Sequence, residues 1–231
     1  MKLGANQPYF LPYIGFFQLI GAVDKYIICD DFNYIKSGWI NRNKLLLGGK
    51  EFVFHLATLG ASQNKRINEI AVDDNQHKLA KTIEVNYRKA PLFDNVFPLI
   101  QDILNYEDKN LARYVGNSMI KIAEYLQLPA TFFYSSEIPK DHSLRFQERV
   151  INICNVMGAT TYINAIGGME LYNKTQFSNK GVDLFFLKSK PITYKQFGQS
   201  FVPNLSMLDI LMFNTVEQTK QLLLQYEFIQ N

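Results

Sequence analysis

Two prolines and several aromatic residues mark the segment Gln7-Pro8-Tyr9-Phe10-Leu11-Pro12-Tyr13-Ile14-Gly15-Phe16-Phe17-Gln18-Leu19-Ile20. A short apolar run at residues 2–5 precedes it and predicts a strand. Apolar residues fill nearly every position from 14 to 23, a pattern that predicts a short buried helix. The prolines require a fixed, extended turn between the strand and the helix. Gln7 is therefore expected at the carboxyl end of the first strand.

A second apolar run, at residues 25–29, predicts another strand and ends in Asp30 and Asp31. In a strand-helix-strand unit the two strands lie parallel with a right-handed crossover, so both loops open on the same edge of the sheet. We therefore expect Gln7 and Asp30 to be neighbours there.

Further alternating units predict an α/β fold, with a mainly parallel sheet flanked by helices, an antiparallel hairpin and a helical middle segment. The hairpin is expected at residues 44–47 and 51–57, joined by Gly48, Gly49 and Lys50. The helical segment spans residues 75–128. Strands are expected at 131–134, 160–164 and 183–187, with helices at 143–157 and 169–179. We expect one domain over residues 1–231.

The chain has 231 residues, 24 basic and 21 acidic, and a net charge of +3. This charge is too small to indicate a nucleic-acid partner from bulk electrostatics, and any basic patch must be local. The start lacks a signal peptide pattern, and no apolar run reaches the roughly 20 residues of a membrane-spanning helix. The two isolated cysteines fit a reduced compartment, so a cytoplasmic location is expected.

Asp30 and Asp31 are candidate catalytic residues, because a carboxylate at a strand end can accept a proton or hold a substrate amine. Adjacent strand residues point to opposite faces, so only one of them is expected to face a given pocket. A metal site is not expected, because no His or third carboxylate lies at ligand spacing. The alternative is that one Asp caps the following turn. Lys44 is the third catalytic candidate.

An aromatic, basic and amide series follows, and its members are candidate substrate-binding residues together with Gln7 and Tyr9. Arg42 suits a carboxylate or phosphate, because its guanidinium donates two parallel hydrogen bonds. Trp39, the single tryptophan, could stack on a sugar or nucleobase or could anchor the core. The series consists of Tyr34, Lys36, Trp39, Asn41, Arg42 and Lys44.

Gly167 and Gly168 lie between a predicted strand and helix and resemble an anion cradle, with Tyr172 and Lys174 on the same helix. The alternative is a tight strand-helix turn. Ser206 and Asp209 have the spacing of a capping box at the start of a helix.

Nucleophilic chemistry has weak candidates in this chain. Cys29 precedes two acids that disfavour a thiolate, and a buried strand position is its expected role. His55, His77 and His142 are scattered singly. No cofactor is indicated.

The segments at residues 7–20, 30–31 and 34–44 resemble the opening of the WbqC-like protein family. The resemblance continues through residues 162–172, 194–197 and 201–209, adding Gln196 to the expected substrate-binding residues. It implies bacterial genes for O-antigen or other surface polysaccharides, and transfer of an aminoacyl (glycine) group to an amino sugar. It also implies that residues 201–209 fold back onto the amino-terminal loop.

Three functions follow as expectations. The first is a transferase whose partners are a nucleotide-linked amino sugar and an activated acyl donor. The second is a non-catalytic binding or scaffolding protein of the same pathway. The third, more distant, is a nucleotidylyltransferase-like enzyme, because residues 13–16 stand where those enzymes carry His-x-Gly-His; both histidines are absent. The sequence carries no specific nucleic-acid motif and leaves homo-oligomerisation open.

Overall fold

The computed structural model describes residues 1–198 and 200–230. The strands are β1 (Lys2–Asn6), β2 (Lys25–Ile28), β3 (Arg42–Leu47), β4 (Lys50–His55), β5 (Thr58–Leu59), β6 (Ala71–Val72), β7 (Thr131–Tyr134), β8 (Thr161–Ala165), β9 (Asp183–Ser189) and β10 (Tyr226–Ile229). The α-helices are α1 (Ile14–Gly21), α2 (Gln76–Tyr87), α3 (Phe93–Leu104), α4 (Leu111–Tyr125), α5 (Phe146–Met157), α6 (Lys174–Ser178), α7 (Met207–Phe213) and α8 (Val216–Leu223). Within the described ranges, no helix has both the length and the apolar character to cross a bilayer.

A six-stranded sheet forms the centre, in the order β10-β9-β8-β1-β2-β7. β10 pairs antiparallel with β9, and every other pairing in this sheet is parallel. The predicted α/β class is therefore confirmed, including the mainly parallel sheet, the hairpin β3–β4 and the helical middle segment α2–α4. The sequence reading missed β10, a short strand at the sheet edge.

Apolar cores cover both faces of the sheet. Side chains of β1 alternate between them: Leu3 and Ala5 pack with α5 and α6, whereas Gly4 faces α1. A Cβ atom at Gly4 would lie 3.3 Å from Val23 and 3.4 Å from Leu19, so the glycine allows α1 to pack closely against the strand. Burial on both faces explains why the strands read as apolar runs rather than as alternating patterns.

The strand order reverses between β1 and β8, because the chain builds outward from β1 to β2 and β7 and then crosses over to β8 and β9. In open α/β sheets, ligands bind beside the carboxyl ends of the strands at such a point. The proline turn after Asn6, at the end of β1, stands at this edge.

Candidate functional site

The proline turn after β1 is fixed by hydrogen bonds from distant parts of the chain. Leu11 is buried and has a φ of 45°, an unusual conformation for a bulky residue before a proline. Its carbonyl oxygen accepts hydrogen bonds from Asn43 Nδ2 at 2.8 Å and from Ser206 Oγ at 2.7 Å. Backbone strain of this kind persists where the surroundings impose it, and it clusters at ligand sites.

Residues 201–209 fold back onto this turn, as the resemblance implied. Tyr13 forms an isolated antiparallel bridge with Ser206, and the Met207 N–H donates to the Pro12 carbonyl at 2.9 Å. The hairpin joins them, because the Ser206 N–H donates to the Lys44 carbonyl at 2.8 Å. Three segments remote in sequence thus meet at the carboxyl end of β1.

A cavity of about 210 Å³ lies where these segments meet. Its walls are Tyr9, Tyr13, Trp39, Asn43, Lys44 and Asn204. The structure therefore brings together three of the sequence candidates, Tyr9, Trp39 and Lys44. The sequence analysis did not name the other three, Tyr13, Asn43 and Asn204, as site residues. The alternating residue pattern of β3 does not indicate that the Asn43 side chain points inward and binds the proline turn.

The cavity combines neutral aromatic walls with a cationic rim. Burial raises the pKa of Tyr9, with a further contribution from Tyr13, and burial also raises the pKa of Tyr13. Both phenols are therefore neutral at pH 7 and can donate hydrogen bonds. Arg42 and Lys44 lie 4.9 Å and 5.4 Å from the centroid of the Trp39 ring, which places two cations beside an aromatic surface.

The two cations differ in their other partners. Lys44 Nζ lies 2.9 Å from a carboxylate oxygen of Glu51. The Arg42 guanidinium donates to the Ser37 carbonyl. Its Nε atom is buried and has no hydrogen-bond partner among the described residues. Arg42 therefore retains donor capacity at the rim.

Tyr34 and Asn41 are joined to each other and to the hairpin. Tyr34 Oη donates to Asn41 Oδ1 at 2.9 Å, and Asn41 Nδ2 donates to the Leu56 carbonyl, also at 2.9 Å. Lys36 is exposed on the same loop. Gln7 is half-buried at the end of β1, one residue after Asn6, whose carbonyl accepts a 2.9 Å hydrogen bond from the Cys29 N–H.

Asp30 is engaged within the fold. Its carboxylate accepts hydrogen bonds from Asn68 Nδ2 at 3.2 Å, the Ser136 N–H at 2.8 Å and Ser136 Oγ at 2.5 Å. It thereby ties the end of β2 to the end of β7 and to the short 3₁₀ helix Ile67–Glu69. These contacts fit the alternative role for Asp30, in which its carboxylate fixes the turn that follows β2.

Asp31 forms a buried ion cluster with Lys140, at 2.9 Å, and Arg149. Burial alone would raise the pKa of the Asp31 carboxyl, but the hydrogen bond from Lys140 and the charges of Lys140 and Arg149 outweigh it and lower the pKa. Arg149 also lies over the Phe32 ring at 4.6 Å. The sequence analysis missed Lys140 and Arg149, which lie more than 100 residues beyond their partner.

The glycine pair lies in a 3₁₀ helix, Ile166–Leu171, rather than before one continuous helix at 169–179. That helix prediction is wrong: Asn173 caps α6 separately with its side chain. A Cβ atom at Gly168 would lie 2.4 Å from Asn164 Nδ2, so the glycine is required by a close approach. Tyr172 packs edge-on against Tyr162 and Phe177, and Lys174 opens α6. None of these residues lines the aromatic cavity.

Gln196 belongs to a buried network around Asp209. The Asp209 carboxylate accepts from Tyr87 Oη at 2.8 Å, Tyr194 Oη at 2.7 Å and Gln196 Nε2 at 2.9 Å. Burial raises its pKa despite these donors. Ser206 caps α7 through Leu208, but the capping box prediction is wrong, because Asp209 uses both oxygens elsewhere.

The cysteines are buried, and burial is the main reason that the pKa of each thiol rises to about 12. Both are therefore neutral at pH 7. Within residues 1–198 and 200–230, no group of three or more His, Cys, Asp or Glu side chains is arranged to hold a metal ion.

Comparison with known proteins finds a relative that aligns over most of the chain. An uncharacterized protein of Mycobacterium tuberculosis, Rv1507c, is 26% identical over 215 residues, which cover 91% of this chain and 92% of that protein. No solved structure gives a significant match. The model of the WbqC-like protein family matches residues 7–221, which include the proline turn, the hairpin and the Asp209 network. The chain therefore belongs to the WbqC-like protein family.

Proposed function

We propose that the protein is a transferase that attaches an aminoacyl group, with glycyl as the simplest case, to the amine of a nucleotide-linked amino sugar. The observation that carries the proposal is the aromatic cavity with its cationic rim at the carboxyl edge of the parallel sheet. The family resemblance supplies the pathway, which is synthesis of O-antigen or another surface polysaccharide.

The size and lining of the cavity favour a sugar ring. Sites that bury a drug-sized ligand measure about 300–1,000 Å³. A cavity of about 210 Å³ suits one monosaccharide unit rather than a whole nucleotide sugar. Aromatic walls offer flat apolar faces to the ring, and the neutral Tyr9 and Tyr13 hydroxyls can bind its hydroxyl groups.

The cationic rim favours the phosphates of the same ligand. In the proposed complex, the terminal nitrogens of Arg42, which lies beside the Trp39 ring, bind the diphosphate. Gln7, Tyr34, Lys36 and Asn41 complete the proposed binding segment. Gln196 acts at a distance, because it bonds Val202 and Asp209 in the segment that folds onto the proline turn. The proposal gives Gly167, Gly168, Tyr172 and Lys174 no contact with the ligand.

The reaction is attack of the sugar amine on the donor carbonyl. A C–N bond forms, the bond from the carbonyl carbon to the leaving oxygen or sulfur breaks, and the proton lost by the amine goes to the leaving group. Lys44 borders the cavity, and in this mechanism its ammonium group stabilises the oxyanion that develops on the carbonyl. Asp30 and Asp31 hold the loops of the site in place through their internal partners.

Mass spectrometry of a reaction mixture tests the proposal. Purified protein is incubated with isotope-labelled glycyl donors and a uridine-diphosphate amino sugar, and the sugar is expected to gain one labelled glycyl group. Trp39→Ala should lower turnover at least about tenfold, which corresponds to roughly 1.4 kcal/mol. Leu171→Ala, at an exposed residue remote from the cavity lining, is the matched control and should leave turnover unchanged.

The non-catalytic alternative has a specific observation in its favour. Both thiols are neutral at pH 7, and the Asp30 carboxylate is occupied by internal hydrogen bonds. Saturable binding of the nucleotide sugar with no mass gain from any donor would favour a binding protein over a transferase.

A further inference from the structure

Positive charge is concentrated in one part of the chain. Residues 32–66 contain one acidic residue, Glu51, and carry a formal charge of +5. The whole chain carries only +3, so the remaining residues sum to −2. The cations of this segment are Lys36, Arg42, Lys44, Lys50, Lys65 and Arg66.

Backbone contacts join the two loops that carry these residues. The Tyr34 N–H donates to the Lys65 carbonyl at 2.9 Å, and Asn33 forms an isolated bridge with Arg66. Tyr34 also binds Asn41, which precedes Arg42. The loop of residues 60–66 therefore lies against the loop that carries Trp39, and together with Arg42 and Lys44 of the hairpin they form one basic surface. Lys50 pairs with Leu47 and lies on the opposite face of the hairpin from Arg42 and Lys44.

The charges on this surface are largely uncompensated. Of the six cations, Lys44 alone has a carboxylate within 4.0 Å among the described residues. Lys36, Lys65 and Arg66 are exposed. Apolar side chains lie between the cations: Trp39 is 37% exposed and Ile35 is 50% exposed. A mixture of cations and exposed aromatic rings is typical of surfaces that bind single-stranded nucleic acid.

We propose that this basic surface binds the single-stranded 3′ end of an RNA that carries the aminoacyl group as a ribose ester. This inference rests on the proposed transferase function and specifies its donor. The diphosphate of a nucleotide sugar needs the rim of the cavity alone, whereas Lys65 and Arg66 do not line it. A phosphodiester chain supplies one negative charge per nucleotide and can extend over the whole surface.

The transfer step balances without a further reactant. The sugar amine attacks the ester carbonyl, the amide C–N bond forms and the ester C–O bond breaks. The ribose hydroxyl leaves with the proton that the amine gives up.

Salt-dependent binding of an RNA probe tests the inference. The probe is a fluorescent RNA hairpin with an unpaired ACCA 3′ end, and its anisotropy is measured between 50 and 300 mM KCl, over which the Debye length falls about 2.4-fold. Each single-strand phosphate contact contributes about 0.7 to the slope of log affinity against log salt. The double variant Lys65→Ala/Arg66→Ala should lower the slope by about 1.4 and weaken binding about tenfold at 100 mM KCl.

The matched control is Arg88→Ala/Lys89→Ala, which removes an adjacent, exposed Arg-Lys pair outside residues 32–66. It should change neither slope nor affinity. The inference is overturned if the probe does not bind, if both double variants lower the slope equally, or if the protein binds phosphatidylglycerol vesicles and RNA fails to compete.

Transfer assays separate this inference from the proposed function. Transfer of glycine from a thioester, but not from the glycylated RNA hairpin, would overturn the RNA donor and leave the transferase intact. Binding of the hairpin through Lys65 and Arg66 with no transfer from any donor would leave the RNA surface and remove the transferase.

Discussion

The Ser206 hydroxyl donates a 2.7 Å hydrogen bond to the carbonyl oxygen of Leu11, 195 residues earlier in the chain. Both residues are fully buried, and Leu11 is held at a φ of 45°. This bond fixes the turn between Tyr9 and Tyr13, and both tyrosines line the aromatic cavity. It therefore connects the last third of the chain to the geometry of the site.

Replacing Ser206 with Ala should lower both stability and ligand affinity. The substitution removes the bond to Leu11 and the cap on Leu208, with a cost of about 1–3 kcal/mol. Thr215→Ala removes a similar cap from α8, far from the cavity, and should lower stability while affinity for the nucleotide sugar stays unchanged. Urea unfolding and titration calorimetry measure the two quantities. Equal affinities for the two variants would contradict the role of Ser206 in shaping the cavity.

Gly15→Ala should damage the cavity while α1 still forms. A Cβ atom at Gly15 would lie 2.4 Å from the Tyr13 ring, so the ring must move away from its place in the cavity wall. The control is Gly21→Ala in the same helix, where the nearest atom is Leu128 Cδ2 at 3.7 Å. That substitution should be neutral or stabilise by roughly 0.4–1 kcal/mol. Binding that is unchanged in Gly15→Ala would show that Tyr13 contributes nothing to the ligand.

Most strands of the sheet could be predicted from the sequence because each is a local apolar run, whereas the pairings of β2 with β7 and of β1 with β8 join distant segments. The prolines, the apolar run of α1 and the two aspartates define the first strand-helix-strand unit, and the parallel pairing of β1 with β2 confirms it. The hairpin follows from the glycine pair at residues 48–49. In contrast, the four residues of β10 carry no distinctive strand pattern. They form a strand because they pair with β9.

Much of the candidate site depends on contacts between residues far apart in the sequence. Asp209 has the spacing of a capping residue, yet tertiary packing turns its carboxylate toward Tyr87 and Tyr194. Asn43 lies in a β-strand pattern that gives no sign of the proline turn it holds. Trp39 could be named as a candidate from the sequence because an aromatic ring among several donors carries a local signal, and the structure places it in the cavity wall.

The two buried carboxylates should affect stability with opposite pH dependence. The pKa of Asp31 is lowered in the folded state, so its stabilising contribution is present above the unfolded value of about 3.9 and is lost as the pH falls through the folded value. The pKa of Asp209 is raised, so its contribution is present below about 3.9 and is lost as the pH rises through the folded value.

Variants isolate the two effects. Relative to Asp209→Asn, the wild-type protein should lose stability as the pH rises from about 4 toward 7. Relative to Asp31→Asn, it should lose stability as the pH falls below about 4. Urea unfolding at a series of pH values measures both differences. If both differences change with pH in the same direction, the burial and charge argument fails for one of the two residues.

Arg42→Ala should weaken ligand binding much more than folding, whereas Phe17→Ala should do the reverse. Arg42 lies at the cavity rim beside the Trp39 ring, so in the proposed complex its loss removes a charged hydrogen bond to the ligand worth about 1.5–3 kcal/mol. Its contacts within the protein are a bond to the Ser37 carbonyl and the Trp39 ring. Phe17 is fully buried in α1, and truncating it leaves a cavity that costs about 3–5 kcal/mol. Thermal melts of both variants, with and without a uridine-diphosphate amino sugar, distinguish these effects. If Arg42→Ala melts as low as Phe17→Ala and keeps the ligand-induced shift of the wild type, Arg42 acts in folding, and the loop that carries Trp39 does not face the ligand.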